Sequence, residues 1–285
     1  KVELQGIDVT ETCDSYLIKV AAGEDWHQLV KYCVDNEING LENLALIPGV
    51  VGAAPVQNIG AYGSEFKDVC ESVEYIDLET GETNTLLAKQ CEFAYRDSIF
   101  KTQAMQSALI TSVTLKLKKA WQPHFRYGAL QNLDPEQEIT AKQIFESVCE
   151  IRSSKLPDPN TLGNAGSFFK NPVVEKPLAE QLLQQYPNMP TYPQAGGTIK
   201  LAAGWLIDQC QLKGKQIGGA AVHQQQALVL VNINNASAED IVLLADFVRN
   251  TVKQKFNVDL QHEVRFIANQ GETNLQRLIT EKAGE

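Results

Sequence analysis

Between Leu46 and Gly63 the chain reads LIPGVVGAAPVQNIGAYG, a run without one charged side chain. Pro48 and Pro55 lack the amide N–H that a helix interior or a central strand needs. Gly49, Gly52, Gly60 and Gly63 make regular structure costly in backbone entropy. The segment therefore has to be a long loop. An ordinary connecting loop would be more hydrophilic. Successive small residues let backbone N–H groups face an anion such as a pyrophosphate, so the run reads best as a wall against a large, partly apolar ligand. It is neither G-x-G-x-x-G nor a Walker A loop, which removes the Rossmann and P-loop readings.

A chain of 285 residues predicts about two domains and a sizeable core. The net charge of −10, with no basic run, makes nucleic acid and anionic membrane poor partners. No apolar stretch approaches the ~20 residues of a membrane span. No charged-then-apolar leader opens the sequence, and a cytoplasmic protein is expected. The six cysteines contain no CxxC, which points to reduced, mostly buried thiols. The four histidines form neither HxxxH nor HExxH, so no metal site is expected.

SYLIKVAAG (15–23) and ALITSVTLKL (108–117) read as strands, and 73–88 as a hairpin turning near Gly81. In 24–36, Trp26, Leu29, Val30 and Cys33 have helical spacing. Thr140 and Gln143 form a capping box before a helix whose one face carries Ile144, Phe145, Val148 and Ile151. Ser237 opens a second helix with acids in its first turn and lysines in its last. Residues 226–232 and 259–267 read as further strands. The order is not a regular βαβα repeat, so the expected class is α+β, with a composition shift near Leu133–Pro135.

Several stretches carry chemistry, each beside a plainer reading. GNAGSFFKNP (163–172) presents Ser167 on bendable backbone, as a turn or as an acting hydroxyl. Arg96 in FAYRDSIFK is either a surface partner of Asp97 or a planar fork for a carboxylate or phosphate. Lys155, ending a helix before SSKLPDP is complete, is either a cation at a helix C-terminus or a phosphate contact. In HEVRFIANQG (262–271), Glu263 and Arg265 share one strand face, as a salt pair or as the lining of a cleft. SFFK matches SxxK, but so do SEFK (64–67) and SIFK (98–101), and the companion SDN and KTG motifs are absent.

Taken in order, IPGVVGAAPVQNIGAYG, YRDSIFK, FRYGAL, KLPDP, GNAGSFFKNP, LAAGWLIDQ, KGKQIGGAAVHQQQALVLVN and HEVRFI resemble the UDP-N-acetylenolpyruvoylglucosamine reductases, flavoenzymes of early peptidoglycan synthesis. FRYGAL is similar to the family's larger type, in which a tyrosine loop covers the substrate. The resemblance implies FAD-binding lobes of the vanillyl-alcohol-oxidase kind and a C-terminal α+β substrate-binding domain. It implies residues 1–6 and 257–285 as the remnant of a first FAD-binding lobe, 7–138 as the second, and 139–256 as the UDP-sugar domain. The family's first lobe carries a G-x-G-S-N stretch that this sequence lacks, which raises the alternative of a truncated fragment that binds the UDP-sugar but not FAD.

The resemblance also implies the reaction. NADPH reduces FAD, hydride passes to C3 of the enolpyruvyl group, and C2 is protonated to give UDP-N-acetylmuramate. By match to the family's motifs, Arg96 and Glu263 stabilise the charge that develops on the carboxylate, and Ser167 is the proton donor. Pro48, Gly49, Gly52, Asn58, Ile59, Gly60, Gly63 and Tyr95 are implied as the flavin wall, and Arg265 as a partner of the flavin's pyrimidine edge. Tyr127 and Lys155 are implied as diphosphate contacts, and Asn171, Tyr192 and Gln226 as further UDP-sugar contacts. A monomer acting on small molecules is expected.

Overall fold

The computed structural model describes residues 2–283 except 127, 134–137 and 195. Two compact units part at Arg152–Ser153.

The first unit is built on a five-stranded antiparallel sheet. It contains β1 (Ile7–Glu11), β2 (Ser15–Ala21), helix α1 (Trp26–Asp35), the two-rung hairpin β3 (Gly60–Ala61) and β4 (Ser64–Glu65), β5 (Cys70–Asp77), β6 (Thr83–Leu87), β7 (Ala108–Lys118) and helix α2 (Ala141–Lys155), whose last three residues fall in the second unit. The sheet order is β1-β2-β7-β5-β6. Alternation in β2 and β7 sets Ile18 opposite Leu115 and Val20 opposite Val113, all fully buried. Each such side chain contributes roughly 1.5–3 kcal/mol by leaving water. The helical spacing of α1 buries Trp26, Leu29, Val30 and Cys33 against this core, and the Asp25 carboxylate caps its first turn by accepting from Gln28 N–H. The expected hairpin turns at Gly81, which has φ +75°. Thr140 and Gln143 cap α2 in both directions, and Ile144 and Val148 join the first unit's core. That packing accounts for the division between the two units falling after Arg152.

The second unit carries a four-stranded sheet ordered β12-β13-β14-β8, a three-stranded sheet ordered β10-β11-β9, and a hairpin, β15-β16. Its strands are β8 (Asn164–Ser167), β9 (Val173–Glu175), β10 (Thr191–Pro193), β11 (Thr198–Leu201), β12 (Gln216–Ile217), β13 (Ala220–Val222), β14 (Val229–Asn232), β15 (Phe266–Ala268) and β16 (Gly271–Thr273). Its helices are α3 (Lys176–Gln185), α4 (Ala203–Gln209), α5 (Ala238–Phe256) and α6 (Leu275–Ala283). Ser237 and Asp240 form a full capping box on α5. Residues 257–283 lie in this unit.

Two strands are shorter than the sequence pattern predicts. Residues 226–228 turn, so β14 begins at Val229. Within 259–267 only Phe266 and Ile267 belong to a regular strand; the residues before them meet the chain at an isolated bridge, His262 with Phe169. The side-chain alternation survives: Val264 and Phe266 pack on the core, and Arg265 and Ile267 are exposed. Among the described residues no helix is long and apolar enough to cross a membrane.

Candidate active site

Apart from the two residues of β3 the uncharged run is a loop, as its prolines and glycines favour, and it is stitched down along its length. Trp26 N–H donates to the Gly49 carbonyl at 3.0 Å, Val51 N–H to Glu24 at 2.8 Å and Gly52 N–H to Ala22 at 2.9 Å. A Cβ on Gly52 would meet the Ala22 Cβ at 2.6 Å, so close approach to the strand end explains this glycine. Gly49, at φ +114°, is explained by conformation instead.

Asn58 is fully buried, and it is the hub of the loop. Its Nδ2 donates to the Ala94 carbonyl at 2.9 Å and to Glu65 Oε2 at 3.1 Å, and its Oδ1 accepts from Lys67 N–H at 2.9 Å. Ile59 is likewise in the core, whereas Pro48, Gly49 and Gly63 are exposed. Of the eight residues expected in the flavin wall, Asn58 and Ile59 therefore support it from behind.

The Asn58–Ala94 bond anchors a tight turn. Ala94 and Asp97 pair through both main-chain bonds, leaving Tyr95 and Arg96 at the tip. Arg96 is left-handed, with φ 56°. Its Nη2 donates to the Gly60 carbonyl at 2.9 Å, and a Cβ on Gly60 would come within 3.2 Å of Nη1. The same Cβ would lie 3.0 Å from Glu65 Cγ and from the Ser64 carbonyl oxygen, so Gly60 has no room for a side chain. Ser98 and Lys101, of the SIFK match, serve the same turn. Ser98 Oγ donates to the Val56 carbonyl at 2.7 Å, and Lys101 Nζ to that of Arg96 at 2.6 Å.

Arg152 was not among the residues expected here. It extends the i, i+4 series Ile144, Val148 on the buried face of α2, and an arginine in that series was the available signal. Its Nη2 donates to the Leu46 carbonyl at 3.1 Å, while its buried Nε has no partner. Burial depresses its basicity, as does the like charge of Arg96. Tyr62, at φ 48°, has its phenol pushed up by burial, and the Arg152 charge opposes that rise. A buried guanidinium with an unsatisfied donor, in the field of a second guanidinium, is a site that wants an anion. The residues present thus fit an anionic cofactor such as FAD, which Arg152 would hold.

In the second unit the Ser167 backbone is fixed from two sides. Ser167 pairs with Val229 in the sheet, and Asn164 ties its own strand to the preceding loop by donating to the Pro157 and Leu162 carbonyls. Gly166, at φ +74°, makes the bend before Ser167. Phe168 and Phe169 are buried and anchor the strand's far end. The Phe168 carbonyl accepts from Glu263 N–H at 2.8 Å, and Lys170 N–H donates to Gln261 at 2.8 Å. Ser167 and Glu263 are thereby brought together.

The remaining expected residues are distributed as follows. Asn171 Oδ1 accepts from Ala203 N–H at 2.9 Å, at the start of α4, and the Gln226 side chain lies against Gly204 one residue further on. Tyr192 has the Lys200 ammonium over its ring at 5.9 Å. Lys155 is exposed at the end of α2. Arg265 donates to Glu272 Oε2 through Nε at 2.9 Å and through Nη2 at 2.5 Å, which strengthens its basicity. Tyr127 lies outside the described residues.

Comparison with known proteins matches an FAD-binding-domain model to residues 2–86, in the first unit. The model of the C-terminal domain of UDP-N-acetylenolpyruvoylglucosamine reductase matches residues 158–267, in the second. The protein called UDP-N-acetylenolpyruvoylglucosamine reductase in Salmonella choleraesuis is 58% identical over 271 residues, which is 95% of this chain and 79% of that one. The protein of that name in Pectobacterium atrosepticum is 58% identical over 97% of this chain and 80% of its own length. The one in Escherichia coli K12 is 55% identical over 97% and 81%. The crystal structure of the reductase from Thermus caldophilus aligns with a TM-score of 0.58 at 24% identity, over 85% of this chain and 70% of that one, and shares the fold.

Proposed function

The chain belongs to the UDP-N-acetylenolpyruvoylglucosamine reductase family, and from that membership we propose that it reduces UDP-N-acetylglucosamine enolpyruvate to UDP-N-acetylmuramate with electrons from NADPH. It is an FAD-dependent oxidoreductase of peptidoglycan synthesis. The observation that carries the assignment is the 58% identity across 95% of the chain, spanning both units. The FAD-binding match over 2–86 and the unsatisfied Arg152 Nε favour this reading over a fragment that binds the sugar alone.

When bound, FAD supplies the hydride carrier between NADPH and the enolpyruvyl group. This chain's own residues do the rest. Hydride arriving at C3 leaves negative charge on C2 and on the conjugated carboxylate. Arg96 offers that carboxylate a planar fork, and Glu263 is its second partner, stabilising the charge by donating the O–H of its acid form. Ser167 Oγ gives its proton to C2: the O–H bond breaks as the C–H bond forms, and solvent restores the hydroxyl proton. A positioned acid of this kind is worth on the order of 10²–10⁴ in rate. The shared backbone rung of Phe168 and Glu263 supports the pairing of these two roles.

Tyr95 and the exposed face of the 46–63 loop, with Arg265, are assigned to the cofactor. Tyr127, Lys155, Asn171, Tyr192 and Gln226 are assigned to the UDP-sugar. We carry the domain assignment as 1–6 with 257–285, 7–138 and 139–256, in a cytoplasmic monomer that works on small molecules.

The test is one cuvette. The chain is mixed with FAD, desalted and scanned in the visible. A retained flavin spectrum that bleaches with NADPH and returns with the enolpyruvyl UDP-sugar is expected. A chain that retains no flavin, or a bleached flavin that the sugar does not reoxidise, overturns the proposal.

A further inference from the structure

His27 lies in the first turn of α1, outside every motif above. Its ring stacks on Phe145 of α2, with centroids 5.6 Å apart and planes 3° from parallel. Its Nδ1 accepts from Leu46 N–H at 3.1 Å. Leu46 opens the uncharged loop and is left-handed, with φ 56°, a conformation a bulky residue keeps only when held. The carbonyl of the same residue accepts from Arg152 Nη2 at 3.1 Å. Three residues from three segments are thus in series: imidazole to the Leu46 amide, Leu46 carbonyl to the guanidinium.

An Nδ1 that accepts cannot carry a proton, so His27 is neutral here with its hydrogen on Nε2. A second proton would turn N–H toward N–H and release Leu46. The charged groups that face the ring are Asp25 and Lys31 from its own helix and Arg152 from α2. Burial, the largest influence, with Lys31 and Arg152, lowers the imidazole from its ordinary 6.5, against Asp25. The sign follows. The unfolded chain takes up the proton first, so the neutral-His27 contribution is full above about pH 6.5 and is lost as pH falls through the lower folded value.

We propose that His27 is a positioning residue for the cofactor: its neutral ring holds Leu46 left-handed, Leu46 holds Arg152, and flavin retention is lost when Nδ1 is protonated. This rests on the reading that FAD binds the first unit.

The experiment is a fluorescence titration of the full chain with FAD between about pH 5 and pH 8, for wild type, His27→Ala and His27→Asn. Near-ultraviolet dichroism of each flavin-free chain verifies the fold. The His27 ring proton is followed by NMR with and without FAD. Wild type is expected to lose FAD affinity by about tenfold or more on acidification, matching a one-unit fall in the His27 pKa on FAD binding. His27→Ala binds about tenfold more weakly at neutral pH and lacks that acid limb. His27→Asn, which can still offer an oxygen to Leu46, recovers part of the neutral-pH affinity and also lacks the limb. Equal affinities and equal acid limbs in wild type and either folded variant overturn the inference and leave the cofactor reading standing. A His27 pKa in wild type that FAD does not move does the same, without any variant. No FAD binding by wild type at any pH overturns the cofactor reading, and the inference with it.

Discussion

The main-chain N–H of Glu263 donates to the carbonyl of Phe168 at 2.8 Å, which sets Glu263 beside the residue after Ser167. The bond uses backbone atoms only. Side chains at both positions can therefore be exchanged without cutting the link that pairs them.

Ser167→Ala keeps that rung and removes one hydroxyl. Turnover is expected to fall by more than about tenfold, and more nearly 10²–10⁴. FAD retention and UDP-sugar affinity should not change. Steady-state kinetics beside a flavin absorbance scan decide it; a loss smaller than tenfold removes the proton-donor role.

Arg96→Lys keeps the charge and loses the fork. With the Asn58–Ala94 bond intact, melting should be unchanged while kcat/KM falls about tenfold or more, on the order of 1.4 kcal/mol of transition-state binding. An unchanged kcat/KM argues against two-point binding of the carboxylate.

Asn58→Ala strands the Lys67 N–H and the Ala94 carbonyl at a fully buried position. The expected loss is about 2–4 kcal/mol, read as a drop of several degrees in Tm. Flavin retention should fall with it, because the same side chain backs the loop. A melting curve like that of wild type removes Asn58 as the hub.

Arg152→Met separates stability from function. Without flavin, the guanidinium is a buried charge with an unsatisfied Nε, so an apolar replacement of similar length should leave Tm level or raise it. FAD affinity should drop by about tenfold or more. Calorimetry of the flavin-free chain and a flavin titration read the two effects; a lowered Tm with unchanged FAD affinity reverses both.

Thiol labelling at pH 7.5 should find one fast cysteine, Cys13, which is exposed. Burial pushes Cys33 up to about 12 and Cys91 up to about 11, and it raises Cys70, Cys149 and Cys210 as well. Thiolate is thus scarce at those five positions. Mass spectrometry after brief alkylation, with and without denaturant, counts them; fast native labelling of Cys33 contradicts its place in the core.

Much of this was readable from residues in a row. Period-two alternation placed β7, helical spacing placed α1, a capping box with one apolar face placed α2, and Ser237 with its end charges placed α5. Alternation also sorted 264–267 into inward and outward faces, but it could not tell a sheet strand from a segment that bridges at His262 alone. Partners are a tertiary fact. The contact of Asn58 with Ala94 spans 36 positions, and nothing local distinguishes an amide that meets a ligand from one that props up a turn. Arg152 was visible as an arginine continuing an apolar helix face; His27 was visible only as the neighbour of Trp26. The decoy SIFK had the converse fault, because its spacing copied a catalytic pattern while Ser98 ties its turn to Val56 and Lys101 bonds the Arg96 carbonyl.

The first unit's middle strand is its last to be made. β7 lies between β2 and β5 in the sheet, yet both finish long before residue 108. At a synthesis rate of about 5–20 residues per second, a growing chain carries two unclosed hairpins for several seconds. Until β7 emerges, the inner edges of β2 and β5 have no partner and are open to other chains. The exposure of these two inner edges therefore belongs to the ribosome-bound intermediate, and it ends when one eleven-residue strand slides between its neighbours.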